Sequence, residues 1–65
     1  MKLKEGREKT AIKMVAQGLR TKEIAEKLCV AEITIRKILE AVMKREKLKN
    51  RVQVALEYYK TYGDV

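Results

Sequence analysis

The sequence predicts an all-α fold of four helices, and three observations support this. The chain of 65 residues contains no proline, only three glycines and few strongly β-forming runs. Its apolar residues recur at spacings of three and four, as on the buried face of a helix. Turn and capping residues separate the periodic segments. A chain this short buries only a modest core, so we expect one small domain. Association between copies is a common way to add stability to such a domain.

The first helix is predicted over residues 7–18. Glycine adopts the left-handed conformation without steric cost, so Gly18 is the predicted helix stop. The six residues before Arg7 lack helical periodicity and predict a partly ordered arm that frays at its end. We expect this helix to serve as scaffold. Its apolar stripe comprises Ala11, Ile12, Val15, Ala16 and Leu19.

The second and third helices are predicted over residues 22–28 and 32–44. Thr21 or the backbone before it caps the second helix, and Glu23 lies in its first turn, where the helix dipole favours a negative charge. Cys29 is expected in the turn between the helices as a small, half-buried residue. Ala31 takes the place of the serine that often caps such a third helix. The inward positions of both helices are apolar, namely Ile24, Ala25, Leu28, Val30, Ile35 and Ile38.

This arrangement between Gly18 and Leu39 is the pattern of a helix-turn-helix motif. In that motif the first helix braces the DNA backbone and the second enters the major groove. A two-helix corner of a bundle that does not bind DNA is the alternative interpretation of the same spacing.

The fourth helix is predicted over residues 51–62, because Asn50 and Gln53 have the spacing of a capping box. It carries more apolar residues than one buried face requires. The inward stripe is predicted as Val52, Ala55, Leu56 and Tyr59. A second stripe of Val54, Tyr58 and Tyr62 is left for another partner, for which a copy of the same chain is the simplest explanation.

The charge balance favours an anionic partner. The net charge is +7, and residues 36–51 hold seven basic and two acidic residues. Such a field suits nucleic acid or an acidic membrane, although lysine-rich helices also maintain solubility. Membrane-surface binding is disfavoured, because no predicted helix pairs a lysine-lined face with bulky lipid-seeking residues.

Composition disfavours several other classes of function. Cys29 is the only cysteine and the chain has no histidine, which leaves no internal disulfide and no zinc site. No catalytic constellation or phosphate-binding glycine loop is visible. We therefore expect neither an enzyme nor a cofactor or metal. The first twenty residues contain no apolar run typical of a signal peptide, so we expect a cytoplasmic, nucleoid-associated protein.

The order of residues resembles the DNA-binding domain of LuxR/GerE-type bacterial regulators over about residues 8–62. The resemblance is carried by VAQGLRTKEIAEKL, VAEITIRK and LKNRVQVAL, and most specifically by Lys22 to Ala25, Thr34 to Arg36, and Asn50 with Arg51. It implies a four-helix helix-turn-helix domain of the stand-alone GerE-like type. It also implies that the third helix recognises double-stranded DNA and that the fourth pairs with its twin in a homodimer.

The resemblance also implies roles for individual residues. Lys22 and Thr34 would contact phosphates, Arg36 and Lys37 would reach base edges or nearby phosphates, and Val54, Tyr58 and Tyr62 would form the dimer contact. The predicted DNA-binding set comprises Lys22, Glu32, Ile33, Thr34, Arg36, Lys37, Glu40, Lys44 and Arg45. An acidic residue at position 40, where some members place a groove-facing lysine, argues against transferring any target sequence.

Two alternatives remain open at this stage. Region four of bacterial sigma factors uses a similar motif, which would make the chain a promoter-recognition module. Alternatively, the chain is a protein-interaction module that forms heterodimers through its fourth helix and binds DNA only weakly. RNA polymerase is a further candidate partner of a transcriptional regulator.

Overall fold

The computed structural model describes residues 1–63 and contains four helices in that range. They are α1 (Arg7–Ala16), α2 (Thr21–Leu28), α3 (Glu32–Glu46) and α4 (Arg51–Tyr62), with no strand in the part described. The predicted all-α class is confirmed. The helix α1 ends two residues earlier than predicted and α3 ends two residues later.

The first three helices end in the same way, with a left-handed residue followed by a partly buried apolar residue. The left-handed residues are Gly18 (φ 92°), Cys29 (φ 55°) and Lys47 (φ 58°). The amide of the next residue donates back to the last turn: Leu19 to the Met14 carbonyl oxygen at 3.1 Å, Val30 to that of Ala25 at 3.0 Å, and Leu48 to that of Met43 at 2.8 Å. Each end is a Schellman motif, which satisfies terminal carbonyl groups and returns the chain to the core.

Cys29 therefore has a backbone role rather than a packing role. The prediction that it is half-buried is wrong, because its side chain is exposed. It occupies a left-handed position at which glycine or asparagine is usual. The buried filler of this turn is instead the neighbouring Val30, which packs against the core.

Side-chain caps begin α2 and α4. The Asn50 Oδ1 accepts a hydrogen bond from the Gln53 amide at 3.0 Å, as the capping-box spacing predicted. For α2 the N-cap residue is Arg20, the residue before Thr21 and the second of the two predicted caps. The Arg20 side chain makes no cap hydrogen bond, and the Glu23 Oε1 accepts from the Arg20 amide at 2.8 Å. Ala31 makes no side-chain cap for α3, as expected of alanine.

The core takes its most deeply buried side chains from all four helices, and α1 packs chiefly on α4 while α2 packs chiefly on α3. Tight apolar packing of this kind is the main source of stability in so small a chain. Ala25 and Ile35, predicted to face inward, are buried, and Leu28 and Ile38 pack against the core from its edge. The side chains with the lowest exposure are Ile12, Ile24, Ile35, Val42 and Val54.

The N-terminal arm (residues 1–6) is packed rather than frayed. Leu3 is buried, and its amide donates to the Tyr62 hydroxyl oxygen at 3.3 Å. The Lys2 carbonyl oxygen accepts from Arg45 Nη2 at 3.1 Å. The expectation of a frayed end is therefore wrong. The sequence pattern did not reveal this packing because the contacts join residues some forty to sixty positions apart.

The inward and outward faces of α4 are largely the reverse of those predicted, although Ala55 packs against the core as expected. Val54 and Tyr58 are 0% and 4% exposed, whereas Val52 and Leu56 are 64% and 54% exposed. Val54 and Tyr58 belong to the core of their own chain, so they are not available to a partner. Tyr62, the third predicted dimer residue, is half-buried beneath the N-terminal arm, with its ring centroid 4.8 Å from that of Tyr58.

The rotation of α4 is set by polar contacts at both of its ends. Near the start, Arg51 Nη2 donates to the Leu19 carbonyl oxygen at 2.7 Å. Nearer its end, the Tyr59 hydroxyl donates to the Ala16 carbonyl oxygen at 3.1 Å, although the Tyr59 side chain is 43% exposed. These bonds hold the Val54 side toward α1.

Candidate nucleic-acid interface

One side of α3 is solvent-exposed along most of the helix. The residues Ile33, Arg36, Lys37, Glu40 and Lys44 are all exposed, at spacings that place them on one helical face. Ile35, Leu39 and Val42 on the opposite face are buried. The core thus fixes the rotation of α3 and leaves a continuous stripe, here called the α3 face, with three basic residues and one acidic residue.

Arg36 on the α3 face is held by a neighbouring carboxylate. Its Nη2 lies 3.0 Å from Glu32 Oε1, one turn earlier on the helix. The Arg36 side chain is exposed and that of Glu32 is half-buried, and a surface pair at this spacing contributes only about 0.3–0.5 kcal/mol to helix stability. The pair therefore limits where the guanidinium lies without preventing its release.

The two residues expected to contact phosphates lie outside the α3 face. Lys22 is exposed in the first turn of α2, near the positive end of that helix dipole. Thr34 is half-buried on the side of α3 that faces the start of α1. Backbone amide groups at a helix N-terminus and basic side chains are the usual donors to DNA phosphates.

Arg45, also predicted to bind DNA, is instead engaged within the protein. Its Nη1 donates to Glu8 Oε1 at 3.1 Å and its Nη2 to the Lys2 carbonyl oxygen, while its Nε lies 3.7 Å from Glu46 Oε2. Arg45 thus fastens α1 and the N-terminal arm to α3, and because its side chain is still 39% exposed, its contact with DNA stays a prediction. Nothing in the sequence spacing indicated the contact with Glu8, which lies 37 positions away.

The Glu8 carboxylate is held in its charged form by this arrangement. Burial raises the pKa of Glu8, but the hydrogen bond from the Lys4 amide, the hydrogen bond and charge of Arg45 and the charge of Lys4 together lower it. The net pKa lies below the ordinary value of 4.5. Favourable hydrogen bonds and cations thus outweigh desolvation.

A second exposed surface lies on α4, on the side away from the core. Val52, Leu56 and Tyr59 follow one another at spacings of four and three, so they share one face of the helix, here called the α4 face. The sequence predicts two apolar stripes on this helix, but the stripe predicted to face outward is the one that lies in the core. The residues available to a partner are therefore these three.

The family model of bacterial regulatory proteins of the luxR family matches residues 6–58, which is most of the chain. The chain belongs to the luxR family. Its four helices are thus the helix-turn-helix domain of that family, and the resemblance drawn from the sequence is confirmed.

Individual relatives also align with most of the chain. The nitrate/nitrite response regulator protein NarL of Escherichia coli strain K12 is 40% identical over 50 residues, which cover 77% of this chain and 23% of NarL. The transcriptional regulatory protein DesR of Bacillus subtilis strain 168 is 36% identical over 47 residues, which cover 72% of this chain and 24% of DesR. The chain spans about a quarter of the length of these relatives.

Residues 1–63 lack the features of two other kinds of site. Between residues 1 and 63, no helix has the length and apolar character needed to cross a bilayer. The same range contains no group of three carboxylate, thiol or imidazole side chains placed to hold a metal ion.

Proposed function

We propose that this chain binds double-stranded DNA sequence-specifically, with α3 in the major groove, as part of a transcriptional regulator. The observation that carries the proposal is the α3 face, which is rigidly backed by the core and exposed along the helix within a luxR-family fold. The major groove is wide enough to admit one α-helix, and its base edges present a distinct pattern for each base pair.

The charges of the site support distinct roles for its residues. Arg36 is placed to make a paired contact to guanine, which typically contributes about 1–3 kcal/mol of discrimination against the wrong base. Lys22 and Lys44 bind phosphates, release condensed counterions and add affinity without sequence preference. Lys37 and Thr34 contact a base edge or a phosphate at the margin of the helix. Glu40 repels phosphate and restricts how α3 lies in the groove.

We further propose that two copies associate through the α4 face and read two half-sites. Val52 and Leu56 are more than half exposed, and large apolar side chains clustered on one face favour a protein partner. A symmetric dimer buries the same face on both copies. Both relatives are named as regulators, which supports a regulatory role. We propose the bacterial cytoplasm as the place of that role and RNA polymerase as a further partner.

The proposal is tested by selecting bound duplexes from a random pool and measuring the binding of Arg36→Ala and Lys22→Ala to the selected site. Arg36→Ala is expected to flatten the preference at one base position, and Lys22→Ala to weaken all sequences alike. Lys13→Ala removes an exposed charge from α1, away from the α3 face, and is the control. Binding that is unchanged in both variants contradicts this docking face.

A second candidate function is supported by the carboxylates beside the α3 face. Glu32 pairs with Arg36, and Glu40 is exposed among the basic residues, which lowers the positive charge offered to DNA. In this alternative the chain forms heterodimers through the α4 face and prevents a regulator from acting. A gel shift at moderate salt with excess bulk DNA separates the two functions. Only a sequence-specific DNA-binding regulator is expected to form a complex that survives this competition. Membership of the luxR family argues against the sigma-factor alternative.

A further inference from the structure

A groove of about 420 Å³ runs along the flank of α3, between that helix and the start of α1. Lys4 and Arg7 line it on one side, and Thr34 and Lys37 line it on the other. Its apolar lining comes from α3, through Ile38 and Ala41. None of the residues on the α1 side was among those predicted to bind DNA.

The groove carries positive charge that residues 1–63 do not neutralise. Its one carboxylate, Glu8, already accepts from Arg45 Nη1 at 3.1 Å and from the Lys4 amide at 2.6 Å. Arg7 and Lys37 are both exposed, and neither takes part in an ion pair within residues 1–63. The cations are thus available to an anion from outside the chain.

The groove is continuous with the proposed DNA-binding surface. Lys37 belongs both to the α3 face and to the groove, and Thr34 lies between that face and Arg7. A DNA strand whose phosphate reaches Thr34 therefore continues along the groove toward α1. Phosphate oxygens match the basic side chains, and the carbon atoms of the deoxyribose match Ile38 and Ala41.

We propose that Arg7, supported by Lys4, binds a backbone phosphate of the DNA strand beside α3, so that α1 contributes to DNA binding directly. The inference rests on the proposed function and extends it from the helix-turn-helix pair to the first helix. The contact positions α3 and supplies affinity without reading sequence. It lies on the Thr34 side of α3, apart from the phosphate contact proposed for Lys22.

The test measures the affinity for a selected duplex and for bulk DNA as a function of salt concentration, using Arg7→Gln and Lys13→Gln. Both variants remove one exposed charge from α1, but Lys13 does not line the groove. The slope of log K against log salt is negative, and losing one phosphate contact lowers its magnitude by about 0.9. We expect Arg7→Gln to show this decrease and to weaken both DNAs by roughly 3- to 10-fold at low salt. Lys13→Gln is expected to retain the wild-type slope.

The possible failures are distinguishable. If the wild-type chain does not bind DNA, the proposed function itself fails. A second outcome is that the wild type binds and Lys22→Ala lowers the magnitude of the salt slope, while Arg7→Gln has the same slope as Lys13→Gln. In that case only the role of Arg7 is overturned. Thermal unfolding of both variants checks that each retains the fold.

Neutral methylphosphonate linkages, introduced one at a time into the duplex, locate the contact. At one backbone position the neutral linkage is expected to weaken wild-type binding but to leave Arg7→Gln unaffected, because that contact is already lost. Loss of affinity that is the same for both proteins at every position overturns the proposal.

Discussion

Arg51 Nη2 donates a hydrogen bond of 2.7 Å to the carbonyl oxygen of Leu19, which lies 32 positions earlier in the chain. The same guanidinium reaches the Thr21 hydroxyl oxygen through Nη1 at 3.3 Å. Arg51 therefore ties the start of α4 to the turn that leads into α2. The neighbouring Asn50 caps α4, so the Asn50-Arg51 pair that helped to identify the family has a structural purpose.

Replacing Arg51 with lysine is expected to destabilise the fold while retaining the charge. A lysine ammonium lacks the planar fork that reaches both oxygen atoms, and a lost hydrogen bond to a partly buried carbonyl group costs about 1–2 kcal/mol. Urea unfolding of Arg51→Lys measures this change in the free energy of unfolding. Lys49 is exposed in the segment that leads into α4, and Lys49→Ala is the control. Its free energy of unfolding is expected to stay within about 0.5 kcal/mol of that of the wild type. Equal stability of the two variants contradicts the assigned role.

Glu8 is expected to make stability depend on pH in the acid range. Its pKa is lower in the folded chain than in the unfolded chain, so its contribution is complete above the ordinary value of 4.5 and is lost as the pH falls through the folded pKa. Glu8→Gln removes the charge that Arg45 faces, at a cost of about 1 kcal/mol near neutral pH. The difference in unfolding free energy between wild type and Glu8→Gln should shrink as the solution is acidified below pH 4.5. A difference that stays constant down to low pH argues against this contribution.

The reversed faces of α4 predict opposite consequences for neighbouring substitutions. Leu56→Asp places a charge on the α4 face, and is expected to abolish cooperative binding to paired half-sites while leaving thermal stability nearly unchanged. Val54→Ala removes buried methyl groups and is expected to lower the free energy of unfolding by about 2 kcal/mol. DNA footprinting on one and two half-sites, with thermal unfolding alongside, separates these effects. Paired-site binding by Leu56→Asp at wild-type cooperativity excludes the α4 face as the dimer contact.

Features that depend on neighbouring residues could be predicted from the sequence. The Asn50 cap and the glycine stop at Gly18 act within one or two turns of chain, so their residue types carry the information. The exposed face of α3 was also predictable, because a single apolar stripe at helical spacing defines the opposite side.

The orientation of α4 and the role of Arg45 were not predictable in this way. The fourth helix has two apolar stripes of similar strength, and the choice between them depends on the Tyr59 and Arg51 contacts to distant carbonyl groups. Arg45 has the residue type of a phosphate-binding residue, and its contact with Glu8 arises only from the packing of α1 on α3. Contacts across the fold, rather than residue type, decide both outcomes.

The Arg36 guanidinium has a competing acceptor, the Glu32 carboxylate, within its own helix. In the proposed contact with guanine, Nη2 would exchange the Glu32 carboxylate for a base acceptor, and at a mismatched site it would return to that carboxylate. Glu32→Gln removes this competing carboxylate. It is expected to raise the affinity for DNA and to lower the discrimination between sites.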